Sequence, residues 1–354
     1  MEQTYLTLEE TLHGIGPRDE HAVDICRKRW DSIAKPLHSL GWLEDAIARI
    51  AGAQHTPDVR TDRKILVPLC ADNGIVAEGV TQTGQEVTAI VAENFLDEKS
   101  CAAIMCREAG ADIFPVDVGM AVDTPRVEKR KTAYGTKNFA LEPAMTEQEC
   151  IHTIETGIHL VGELREKGYC LIATGEMGIG NTTTSSAVAA SLLNVPAEKM
   201  TGKGAGLSAS GLEKKIKVIQ DAILRWDLTR QTPLTILSHV GGFDLAGMVG
   251  MYLGGAYYHV PVLVDGFISS VAALTAIRMC PDARGYMLAS HVSKEPAARL
   301  VLQETGLAPV IDGGLCLGEG SGAVAVFPLI EMGARIYRQM STFEDISIEA
   351  YQPL

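Results

Sequence analysis

The 354-residue chain lacks an excess of positive charge: 31 Lys and Arg stand against 44 Asp and Glu, a formal net charge of −13. A phosphate backbone binds where a basic surface releases its counterions, so general nucleic-acid binding is excluded. An anionic small molecule needs only a few local donors. No uninterrupted apolar run approaches the roughly 18 to 20 residues of a membrane span. The start, MEQTYLTLEETLHG, has no basic region leading into an apolar stretch, so membrane insertion is not expected and the cytoplasm is the expected location. The eight cysteines contain no CxxC pair, which argues against a zinc site or a disulfide framework and for reduced thiols. The nine histidines form no HExxH or other tight ligand spacing, so no metal is expected. No two aspartates adjoin anywhere, and neither a repeat of fixed period nor a low-complexity tract is present.

What is present is alternation. Short apolar runs at Lys64 to Cys70, Asp112 to Val118, Cys170 to Thr174, Leu234 to His239, Val260 to Val264 and Gly285 to Ser290 read as six buried strands. Amphipathic segments lie between them. The clearest runs from Thr146 to Lys167, with an apolar stripe of Ile151, Ile154, Ile158, Val161 and Leu164, a capping-box pair Thr146 and Glu149, and Gly168 at its end. Strand and helix alternating over about 250 residues predict an α/β fold, a six-stranded parallel sheet with helices on both faces. Asp19 to Gly52, and the residues after Pro328 through Tyr337, read as helical. The expected division is a small helical domain from the two chain ends, 1–60 with 331–354, and a catalytic domain at 61–330. In open parallel sheets ligands bind beyond the carboxyl ends of the strands.

Two glycine-rich segments stand out there. Gly175-Glu-Met-Gly-Ile-Gly-Asn-Thr-Thr183 follows a strand and opens a helix. Its spacing is that of a P-loop with Asn181 where the lysine should be, which suits a monophosphate better than ATP. The backbone N–H groups of Gly178, Gly180, Asn181 and Thr182 would cradle the phosphate at the helix N-terminus. The competing reading is a plain turn whose glycines only relieve sterics. Glu176 counts against that, since a carboxylate beside a phosphate needs another partner, such as a sugar hydroxyl. The second segment, Leu317-Gly-Glu-Gly-Ser-Gly322, sets Glu319 between two glycines. The residues alone leave open whether Glu319 meets a ligand or merely sits on the surface near a helix start. Asp72, Asp244 and Asp265 each follow a predicted strand, where site and turn roles are equally open.

Over almost its whole length the chain resembles the nicotinate-nucleotide:dimethylbenzimidazole phosphoribosyltransferase family. The resemblance rests on Lys35-Pro36 with Ser39 to Glu44, Ala71 to Gly79, Gly175 to Thr183, Ser238 to Met248, Val264 to Phe267, Ser290 to Ser293 and Leu317 to Gly322. It implies a Rossmann-like six-stranded parallel sheet, a helical domain from both chain ends, and a homodimer with active sites near the subunit interface. No cofactor is implied, and the partners are two small molecules, nicotinate mononucleotide and an aromatic base. Glu319 matches the family's general base. Glu176, Gly178, Gly180, Asn181, Thr182, Lys215, Ser293 and Gly318 match positions around the nucleotide, and Thr83, Gln85 and Leu317 match positions lining the acceptor base. Two departures touch the acceptor side: Leu37-His38 stands where a Pro-Gly entry is common, and Cys316 where an arginine often precedes LGEG.

The implied chemistry suits one carboxylate. The nicotinate leaving group departs from a pyridinium nitrogen already positive, so no acid need protonate it, unlike the alkoxide of a glycosidase. The incoming benzimidazole must lose its N–H proton, which is the task for a base. Attack opposite the leaving group inverts the anomeric carbon. Transferases using phosphoribosyl pyrophosphate carry an acidic pair after a sheet strand, and the absence of such a pair here favours a preformed nucleotide donor.

Overall fold

The computed structural model describes residues 6–204 and 206–351. Seven parallel strands form one sheet: β1 (Lys64–Ala71), β2 (Asp112–Ile113), β3 (Val116–Gly119), β4 (Glu128–Lys129), β5 (Leu171–Met177), β6 (Val262–Val264) and β7 (Met287–Ala289), in the order β4-β3-β1-β5-β6-β7, with β2 beside the start of β1. Strand side chains alternate between faces. Ile65, Val67 and Leu69 of β1 join one apolar cluster, and Leu66 and Cys70 join the other. Both faces are therefore covered, and β1 is buried along its whole length.

On the first face lie α1 (Leu8–Gly14), α6 (Glu147–Glu166), α7 (Asn181–Leu193), α8 (Ala197–Met200), α9 (Ala209–Arg225), α10 (Pro233–Val240), α11 (Phe243–Tyr257), α12 (Phe267–Met279) and α13 (Ala298–Thr305). At its centre α6 and α11 touch backbone to backbone: a Cβ on Gly157 would lie 2.1 Å from the Gly247 carbonyl oxygen, so only glycine fits. The second face is covered by α2 (Glu20–Ser32), α3 (Trp42–Gln54), α4 (Glu86–Leu96), α5 (Cys101–Ala109) and α14 (Ser321–Gln339). Helices from the two ends of the chain thus share one apolar cluster with the sheet. A buried ion pair, Lys35 Nζ to Glu44 Oε1 at 2.7 Å, ties the loop between α2 and α3. No helix among the described residues is long and apolar enough to cross a membrane.

The sheet departs from the expected strands in three places. Leu234 to His239 is not a strand but lies in α10, started by Thr232, whose side chain accepts from the Thr235 N–H, and by Pro233 in the first turn. Its apolar run buries Ile236, Leu237 and Val240, a helical spacing that a run this short hides. The run Asp112 to Val118 splits into β2 and β3 around Phe114-Pro115, where proline has no N–H for the ladder. The edge strand β4 is too short and polar to be read from sequence. The last helix begins at Ser321, just past Glu319, and continues through Pro328 to Gln339. The capping box at Thr146 and Glu149 forms as its residues dictate.

Candidate active site

The strand ends converge on a cavity of about 360 Å3, beyond the carboxyl ends of β5, β6 and β7. β5 runs to Met177, so Gly175 lies within a strand and not in a loop. Its glycine is required for a different reason: a Cβ there would meet the Glu319 carbonyl oxygen at 2.5 Å. The two glycine-rich segments are stacked backbone on backbone. Gly318 (φ +90°) and Gly320 (φ +85°) adopt left-handed conformations, as does Glu319 itself (φ +61°). A Cβ on Gly318 would strike Glu176 Oε1, and one on Gly320 would strike Leu66. A non-glycine residue in this conformation is uncommon and held only by its surroundings.

That geometry turns the half-buried Glu319 into the cavity, where Oε2 accepts from the Ala102 N–H in the first turn of α5 at 3.2 Å. Burial raises the Glu319 carboxyl above the usual glutamate range, and that hydrogen bond opposes the shift. No Lys or Arg pairs with it among the described residues. Glu176 is buried; its Oε1 accepts from the Glu319 N–H at 3.3 Å and its Oε2 from Asn181 Nδ2. The same amide donates to Asp244 Oδ2 at 3.1 Å. Burial, with repulsion from Asp244, pushes Glu176 up to about 8, and burial pushes Asp244 to about 6. Glu176 is therefore mostly protonated at neutral pH in this site.

The turn Gly178 to Gly180 leads into α7, with Gly180 at φ +96° as its N-cap. A Cβ on Gly178 would lie 2.4 Å from the Ala71 carbonyl oxygen. Gly178, Asn181 and Thr182 line the cavity, so the N-terminus of α7 faces it. Lys215, from α9, is fully buried and donates from Nζ to Thr182 Oγ1 at 2.8 Å. Burial lowers its ammonium to about 8, with Glu295 opposing. Ser293 and Glu295 form the opposite wall, and the Glu295 N–H donates to Ser293 Oγ at 3.3 Å.

Glu176, Gly178, Asn181, Thr182, Ser293, Leu317, Gly318 and Glu319 thus line one cavity, while Gly180 and Lys215 stand directly behind it. Thr83 and Gln85 do not line it. Thr83 is exposed in the approach to α4, and Gln85 donates to the Asn73 carbonyl oxygen at 3.2 Å; Val91 of α4 reaches the cavity instead. Three further side chains contribute, of which the sequence left Asp265 open between a site and a turn role, carried His291 only inside a family motif, and gave no sign of Glu295. Asp265, after β6, is buried and accepts from the Ala323 N–H at 3.0 Å. His291, after β7, stands 3.9 Å from it and packs so closely on Gly322 that a Cβ there would lie 1.9 Å from Nδ1. Glu295 is the third. Besides the two family motifs that hold Asp265 and His291, their signal was position past a strand end.

A family model described as Phosphoribosyltransferase matches residues 15–348. The nicotinate-nucleotide–dimethylbenzimidazole phosphoribosyltransferase of Acetivibrio thermocellus is 43% identical over 351 residues, 98% of this chain and 99% of its own length. The protein of the same name from Ruminiclostridium cellulolyticum is 43% identical over 351 residues, 99% of this chain and 100% of its own. The crystal structure of CobT from Thermus thermophilus matches with a TM-score of 0.89 at 36% identity, over 94% of this chain and 100% of that one. With matches of this extent to sequence and structure alike, the chain belongs to the nicotinate-nucleotide:dimethylbenzimidazole phosphoribosyltransferase family.

Proposed function

We propose that the protein transfers the phosphoribosyl group of nicotinate mononucleotide to 5,6-dimethylbenzimidazole, releasing nicotinate and forming α-ribazole 5′-phosphate with inversion at the anomeric carbon. Glu319 is the general base. The observation that carries this reading is the Glu319 carboxyl itself, turned into the cavity with no cationic partner among the described residues and raised by burial above the usual glutamate range. A base so placed retains proton affinity for the benzimidazole N–H.

The donor phosphate lies at the N-terminus of α7, with Lys215 behind Thr182 supplying a positive charge. Asp265 and Glu295 line the cavity along with Glu319. Their negative potential favours the positive charge that spreads over the ribose as the pyridinium leaves. Protonated Glu176 is also able to donate to a ribose oxygen. No proton is needed on nicotinate, so the remaining requirement is to hold donor and acceptor on opposite faces of the ribose. Leu317 and Val91 supply apolar contact for the acceptor ring.

The protein is a homodimer acting in the cytoplasm, with its active sites close to the subunit interface. The exposed apolar side chains Ile90, Ile104 and Leu317, on α4, α5 and the Glu319 loop, support an interface there. A second reading, the same chemistry on another lower-ligand base such as a different benzimidazole, a purine or a phenol, is favoured by Cys316, which lines the cavity where an arginine is frequent in the family. Incubation with nicotinate mononucleotide and competing bases, followed by product mass and anomeric configuration, tests both. The expected product is the α-linked dimethylbenzimidazole ribotide. Release of no nicotinate with any base refutes the transferase reading for this chain.

A further inference from the structure

Positive charge also gathers at a place the reaction does not use. Alongside the edge strand β7, a cavity of about 240 Å3 opens against α2 and α3, sharing no lining residue with the reacting cavity. Arg18, Arg27 and Arg49 line it over an apolar floor that includes Trp42, Leu288 and Leu307. Arg284 approaches from the turn before β7, where Arg49 donates to the Arg284 and Met287 carbonyl oxygens. The stem of Arg18 lies against Gly285, where a Cβ would approach it to 3.2 Å, so the guanidinium is seated and not merely draped on the surface.

These charges are poorly compensated. Arg18 pairs with Glu20 at 2.8 Å, and Glu20 is also the acid whose charge reaches Arg27 and Arg49, but Arg27, Arg49 and Arg284 form no ion pair among the described residues. Asp45 is the single carboxylate lining the cavity, and it bridges to none of them. Burial depresses Arg49 to about 10; the neighbouring charges of Arg18 and Arg284 push the same way and that of Glu20 opposes them. A chain with a net charge of −13 has no shortage of carboxylates to place here. Leaving like charges together around a hollow is unfavourable unless an anion enters it.

We propose that this pocket binds a small oxyanion, a phosphate or carboxylate carried on a flat apolar body, at a site separate from the reacting cavity. Arg18 and Arg49 spend Nε and Nη2 on Glu20 and on two backbone carbonyls, so the fork of Arg27 meets the two oxygens of such a head group within their positive field, and Trp42 with Leu307 receives the body. Calorimetric titration of the full chain with inorganic phosphate and with benzoate tests this. Lys215→Ala removes the cation behind the candidate donor-phosphate cradle and so weakens anion binding there, leaving Arg27 substitutions to report on the second site. The expected result is that Lys215→Ala still binds at least one of the two anions, and that adding Arg27→Glu weakens this binding at least tenfold. Arg27 is exposed and unpaired, so the variant is expected to fold, and Arg27→Gln carries the same expectation with a smaller change of charge. Turnover of the single Arg27→Glu variant should stay within about twofold of wild type, as for a surface change remote from the chemistry. Tighter binding of benzoate assigns the site to ring-bearing carboxylates, and tighter binding of inorganic phosphate overturns the seat for an apolar body on Trp42 and Leu307. A Lys215→Ala protein that binds neither anion, or binds one with an affinity that Arg27→Glu and Arg27→Gln leave unchanged, overturns the proposal.

Discussion

Lys215 offers a test in which structure sets both a magnitude and a pH. Its ammonium is buried, depressed to about 8, and held 2.8 Å from Thr182 Oγ1 at the mouth of α7. At pH 7 roughly nine-tenths of it carries charge, and about half at pH 8. A hydrogen bond to a charged group contributes about 1.5 to 3 kcal/mol. Lys215→Ala should therefore raise the donor KM by about 10- to 150-fold at pH 7, leaving the acceptor KM nearly unchanged. Because donor binding uses the charged form, the donor kcat/KM of the wild type should fall as pH rises through about 8. Bound phosphate should shift this titration upward, since it favours the ammonium. In Lys215→Ala that part of the alkaline decline should vanish. Steady-state kinetics from pH 6 to 9.5 reads both effects. A donor KM within twofold of wild type, or an unchanged alkaline limb, refutes the placement of phosphate beside Lys215.

Three further outcomes follow from the geometry. Glu176 has a folded pKa of about 8 against an ordinary 4.5, so the native state holds more protons than the unfolded state between those values and stability falls as pH rises through that window. Glu176→Gln mimics the protonated form, and its thermal stability relative to wild type should improve steadily from pH 5 to pH 8; a constant difference counts against the shift. Gly175→Ala places a Cβ 2.5 Å from the Glu319 carbonyl oxygen, which no rotamer change relieves. It should destabilise by about 1 to 3 kcal/mol, read by denaturant unfolding, and depress turnover by displacing Glu319. Lys35→Met leaves the buried Glu44 without its cation and should cost about 3 to 5 kcal/mol in denaturant unfolding. A loss under 1 kcal/mol would show that water reaches Glu44.

How much of this was legible in the sequence depended on the range of the interaction responsible. The α6 capping box is local and was readable from Thr146 and Glu149 alone. The parallel sheet followed from apolar alternation, although Leu234 to His239 shows how a short apolar run conceals a helix when its cap lies just outside it. The glycine motifs were visible, but the purpose of Gly175 was not. It resembled a phosphate-loop glycine by spacing and is required by the backbone of Glu319, far along the chain. Asp265 follows β6 while His291 and Glu295 follow β7, and the two groups meet only through the sheet order, which no linear spacing records. The role assigned to Glu319 likewise needed both its family match and the fold, since flanking glycines allow many conformations and Ala102 selects the one observed.

The measurement bearing most directly on the chemistry is single-turnover formation of the α-linked ribotide by Glu319→Gln at saturating nicotinate mononucleotide and dimethylbenzimidazole. Loss of the general base should lower that rate by about 100-fold or more while donor affinity stays near wild type, because the glutamine still accepts from the Ala102 N–H. A Glu319→Gln rate within a few-fold of wild type would contradict the assignment of Glu319 as the base.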